Sequence, residues 1–69
     1  MAKLPADIDI WRTANLMVKN HGDEAPIFTA MKADEMLEKG DMAGQMVWRR
    51  VLRAVEELLR DRDEAERVN

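Results

Sequence analysis

The only histidine of the chain, His21, stands directly before Gly22, Asp23 and Glu24, an imidazole next to two carboxylates of the kind that hold metal ions. A closed structural metal site generally takes four protein ligands, commonly Cys or His, and these neighbours are adjacent in the chain instead of spaced along one helix face. A histidine near a helix C-terminus is favoured by the helix dipole, and that is the reading adopted. No metal and no cofactor are expected. A second group, Asp34, Glu35, Glu38 and Asp41, brings carboxylates close together in sequence. Paired carboxylates serve as general acid and base when burial drives their proton affinities apart. In a helical reading most of these face solvent. Asp34 alone borders an apolar stripe, where it is expected to accept hydrogen bonds. No nucleophile with a nearby base accompanies them, so no catalytic residue is assigned and the chain is expected not to be an enzyme. The segment Gly40-Asp41-Met42-Ala43-Gly44 lacks the lysine and the length of a phosphate-binding loop.

Arg49, Arg50 and Arg53, next to Trp48, form the one basic cluster and have the chemistry to meet phosphates or stack on bases. Residues 49–69 nevertheless hold six arginines and six acids, so the segment is neutral as a whole. The whole chain carries a net charge of −3, which argues against a nucleic-acid partner. Met17, Met31, Met36, Met42 and Met46 either line an adaptable surface or fill gaps in a core, the second being the commoner use of methionine.

These residues must be positioned by a fold that 69 residues without a single cysteine can build. A chain of this length makes one domain with a core worth roughly 3–5 kcal/mol, and with no disulfide or thiolate metal site its remaining supports are regular helix packing and self-association. The longest apolar runs are Leu16-Met17-Val18 and Met46-Val47-Trp48, far short of a membrane span. The first residues lack the apolar run of a signal peptide, and a cytoplasmic location is expected.

Gly22 and Gly40, each followed by an aspartate, read as a helix stop and a capped restart. The periodicity predicts an all-α, small three-helix bundle with helices at about 7–20, 23–39 and 41–62, and frayed ends at about 1–6 and 63–69. Pro26 fits the first turn of the second helix. Ile10, Trp11, Ala14, Met17, Val18 and His21 share a side of the first helix. Pro26, Ile27, Ala30, Ala33, Met36 and Leu37 share a side of the second. Ala43, Val47, Val51, Ala54, Val55 and Leu58 line the third, widened by Trp48, Leu52 and Leu59. The expected core is therefore Trp11, Ala14, Val18, Ile27, Ala30, Leu37, Val47, Trp48, Val51, Val55 and Leu58, with the two tryptophans as its large anchors. On the solvent side of the third helix, Arg53 with Glu57, Glu56 with Arg60 and Asp63 with Arg67 are expected to pair. Leu16, Phe28 and Met31 fall on polar sides and stand out as candidate contacts for a partner.

The stretch Ala33-Asp34, Gly40-Asp41, Gly44, Trp48, Arg50-Val51 and Ala54 follows a pattern A-D-x5-G-D-x2-G-x3-W-x-R-[IV]-x2-A. It resembles a family of short bacterial proteins of unknown function, found mainly in alphaproteobacteria. Trp11-Arg12-Thr13-Ala14, His21-Gly22 and Ala25-Pro26 fit the same family, and the resemblance covers about residues 7–60. It implies a small helical fold and carries no activity. The Gly-Asp helix start is also similar to that of tetratricopeptide-type hairpins, but the chain is too short for such an array. Taken together, these features point to a non-enzymatic protein–protein interaction or self-associating module, its partner a protein or a second copy as in a homodimer, with no membrane and no small molecule. The alternative is a small nucleic-acid-associated regulator acting through Arg49, Arg50 and Arg53.

Overall fold

The computed structural model describes residues 6–67, and every regular element among them is helical. Helix α1 spans Asp7–His21, α2 spans Ala25–Glu38 and α3 spans Met42–Arg67. No loop separates α1 from α2, because Gly22–Glu24 forms a single 3-10 turn. Helical residues thus run unbroken from Asp7 to Glu38, and only the segment 39–41 interrupts them. The expected bundle of three helices set off by two equivalent turns is corrected to two helical runs, the first sharply bent.

The bend at Gly22 has a local cause. Its φ of 57° and ψ of −131° form a combination that a Cβ makes costly, and its N–H donates to the Val18 carbonyl to close α1. The Ala25 N–H donates back to Gly22, so hydrogen bonding passes directly from one segment to the next. Asp23 was expected to cap the second helix, but no side chain caps α2. Pro26 does occupy its first turn. The Gly40 junction is a true stop. Gly40, at φ 74°, donates to Leu37 at 3.0 Å and Asp41 donates to Met36 at 2.8 Å, the paired bonds of a Schellman ending. Asp41 Oδ1 then accepts from the Gly44 N–H at 2.8 Å and caps α3 as expected.

Both α1 and α2 pack mainly on α3 and touch each other least. Asp7 meets Arg50, and Trp11 lies against Arg53, Ala54 and Glu57, so α1 runs in the direction of α3. Met36 sits over Gly44 and Pro26 lies near Leu59, so α2 runs against it. The molecule measures 47 × 22 × 15 Å, its long dimension set by α3. That helix continues to Arg67, where frayed chain was expected from 63, although residues 60–66 are all exposed. Arg62 pairs with Glu66 at 3.7 Å there. Among the described residues Arg53 does not pair with Glu57 nor Glu56 with Arg60, and the expected Asp63–Arg67 pair ends on a side chain outside them. The expected frayed residues 1–5 and 68–69 also lie outside them.

The core consists of Ile10, Ala14, Met17, Ala25, Val51, Ala54 and Val55, with Val18, Val47, Trp48, Leu58 and Leu59 packed around it. Ala14, Val51 and Val55 of the expected core are fully enclosed, and Ala30 is half-buried. Three expected core residues are corrected. Trp11 is 38% exposed, Leu37 49% and Ile27 62%. Trp11 lies beside Arg50 and Arg53 of α3 and stays partly exposed, whereas Trp48 is half-buried against the core.

A candidate interaction surface on the outward sides of α2 and α3

Which side of α2 is buried is decided by size. Ala25 and Thr29 have no exposed surface and Ala33 only 5%, so the side against α3 is built from small residues at positions i, i+4 and i+8. Small side chains let two helix backbones approach closely, and the larger Ile27 and Leu37 are displaced to the outside. Thr29 is tolerated in this seam because its hydroxyl donates to the Ala25 carbonyl at 2.7 Å. At 100° per residue, Ile27, Met31, Asp34 and Glu38 lie roughly opposite the buried seam. All four are exposed.

Phe28 is 38% exposed. Its ring stacks on the His21 imidazole, with centroids 4.1 Å apart and planes 19° from parallel. The bend at Gly22 brings the last residue of α1 over the first turn of α2, a contact across seven residues that helical periodicity does not reveal. His21 therefore acts in packing. Among the described residues no three His, Asp or Glu side chains gather where they could hold a metal ion. Asp34 and Glu38 share the outward side of α2, while Glu35 lies 3.8 Å from Lys32 and Asp41 is engaged in capping. Leu16 is exposed on α1, away from the core.

On α3 the side opposite Val51 and Val55 carries Met42, Met46, Arg49 and Arg53, all exposed. Met46 and the arginines border a shallow groove of about 450 Å³ with Leu52 and Glu56. The basic cluster is not a set of three equals. Arg50 turns aside to form an ion pair with Asp7, 43 residues away, and ties the start of α1 to the middle of α3. Arg49 and Arg53 make no ion pair among the described residues. No described helix is long and apolar enough to cross a membrane.

A family model matches residues 6–63, nearly all of the helical structure just described. The chain belongs to a family of unknown function, DUF6961. No similarity to a curated protein or to a solved structure was found. Membership assigns no activity. The matched span contains the closely packed junction at Gly40, Asp41 and Gly44. A Cβ on Gly44 would stand 2.6 Å from Asp41 Oδ2 and 2.9 Å from Met36 Sδ, so glycine is the residue that leaves room for both the cap and the crossing methionine.

Proposed function

We propose that this chain is a non-enzymatic protein-binding module that uses the outward side of α2, with Ile27 and Met31 at its centre and Phe28 and Leu16 as further contacts. One observation carries the reading: α2 buries Ala25, Thr29 and Ala33 while leaving Ile27 62% and Met31 52% exposed. Burying either side chain fully is worth about 1.5–3 kcal/mol, stabilisation that the isolated fold does not collect from them. Single exposed apolar residues are ordinary, but here the larger residues lie outside and the smaller ones inside on one helix.

A photo-crosslinking residue placed at Met31 in the producing cell, compared with the same residue at Asp61 on the far end of α3, tests this. The expected result is a discrete protein adduct at Met31 and none at Asp61. Equal labelling at both positions, or none at either, refutes the reading. The nucleic-acid alternative draws on the arginine groove of α3. It is weakened by the commitment of Arg50 to Asp7, which leaves Arg49 and Arg53 as the free cations of the cluster. Retention on mixed DNA and RNA at low salt, lost on adding salt, would favour it instead.

A further inference from the structure

The outward stripes of α2 and α3 match residue for residue. On α2 the order is Ile27, Met31, Asp34, Glu38, and on α3 it is Met42, Met46, Arg49, Arg53. Both run in steps of four, three and four residues, so each stripe follows one helix side over about 16 Å. Each presents two apolar side chains and then two charges, acidic on α2 and basic on α3. The apolar members are among the most exposed large side chains of the chain, with Met42 at 62% and Met46 at 57%. Asp34, Glu38, Arg49 and Arg53 make no ion pair among the described residues.

We infer that copies of this chain associate head to tail, the outward stripe of α2 in one copy lying parallel and in register against the outward stripe of α3 in the next. In that arrangement Ile27 meets Met42, Met31 meets Met46, Asp34 meets Arg49 and Glu38 meets Arg53 across the interface. The other pairings are worse. Turning one stripe end for end sets apolar side chains against charges. Placing α2 on α2, or α3 on α3, in parallel sets like charges together. Within one copy α2 and α3 pack through the sides opposite these stripes, so the stripes point away from each other. A copy cannot satisfy its own stripes, and a pair cannot satisfy both sets at once. The contact is heterologous and generates an open row. This inference rests on the reading of the outward side of α2 as a contact surface and names its occupant as a second copy.

The purified full chain is followed by sedimentation equilibrium at low salt from micromolar to millimolar concentration. The average mass is expected to rise past that of a dimer without a plateau, and to fall when salt is added. Two charge-reversed variants, Asp34→Lys/Glu38→Lys and Arg49→Glu/Arg53→Glu, should each associate about tenfold or more weakly than the parent chain. All four positions are exposed, and far-UV circular dichroism shows whether the variants keep their helix content. Mixed in equal amounts, the two variants should recover association, because each reversed stripe finds its complement on the other chain. A merely structural role for these charges predicts no such recovery. Association that stops at a dimer, a monomer throughout, or variants that fail to complement each other overturns the inference. A monomeric purified chain that still yields a discrete Met31 adduct in the cell overturns self-association and leaves the broader binding reading standing.

Discussion

Replacing Gly44 by alanine sets two effects of similar size against each other, and the geometry decides between them. Alanine is a better helix former than glycine by at most about 1 kcal/mol, and by less in the first turn of a helix, where Gly44 sits. Against that gain, the new Cβ would lie 2.6 Å from Asp41 Oδ2 and 2.9 Å from Asp41 Cγ, far inside contact distance. The carboxylate is held there by its 2.8 Å bond from the Gly44 N–H, so relieving the clash means giving up the cap, at about 1 kcal/mol. Met36 Sδ, 2.9 Å from the same Cβ, must also shift within a half-buried site, at about 1–3 kcal/mol if its packing is disturbed. The net expectation is a loss of about 1–3 kcal/mol, from a fold worth roughly 3–5 kcal/mol. Thermal unfolding followed by far-UV circular dichroism should show a midpoint lowered by about 4–8 °C per kcal/mol. Asp41→Ala alone should cost about 1 kcal/mol. The decisive comparison is the double variant: with Asp41 already shortened, Gly44→Ala should cost clearly less than in the parent chain. A Gly44→Ala protein more stable than the parent, or strictly additive effects in the cycle, would refute the account of this junction.

Gly22→Ala should destabilise more than Gly40→Ala, because φ 57° with ψ −131° suits an L-residue less well than the left-handed position of Gly40 at φ 74°. About 1–3 kcal/mol is expected at Gly22, read by urea titration, and an equal or reversed ranking would contradict it. Thr29→Val should be neutral or stabilising by up to about 1 kcal/mol. The Ala25 carbonyl keeps its backbone donor, and the hydroxyl is replaced by a methyl in a site with no solvent exposure. A loss above about 1 kcal/mol in the same titration would show that the hydroxyl does more than satisfy itself. In single-tryptophan variants, iodide should quench Trp11 more efficiently than Trp48, since Trp11 is exposed on the α3 flank and Trp48 is half-buried. Trp48 as the more accessible indole would contradict this ranking of exposure.

Local chemistry was legible in the residues themselves. Gly40 followed by Asp41 announces a left-handed ending and a capped start, and both bonds close within a few residues of each other, so no distant part of the chain is needed to form them. The buried side of α3 was legible for the same kind of reason. Val51, Val55 and Leu58 recur at helical spacing against a polar remainder, and only one side of such a helix can be covered. The helical character of the chain follows from the same spacing, whereas its family is shown by the match over residues 6–63.

The orientation of α2 was settled by tertiary packing. Its apolar residues are distributed around the helix, so periodicity favoured the side with Ile27 and Leu37, whereas α3 selected the side where Ala25, Thr29 and Ala33 permit close approach. Hydrophobicity measures what a side chain gains by leaving water, but close packing also depends on the shape of the neighbour. The Asp7–Arg50 ion pair spans 43 residues, and the stacking of Phe28 on His21 needs the backbone angles of Gly22. Neither is visible in a local pattern, because each depends on where the chain returns in space. The two outward stripes were written in the sequence all along. Their outward placement was decided only when the small-residue seam of α2 docked on α3.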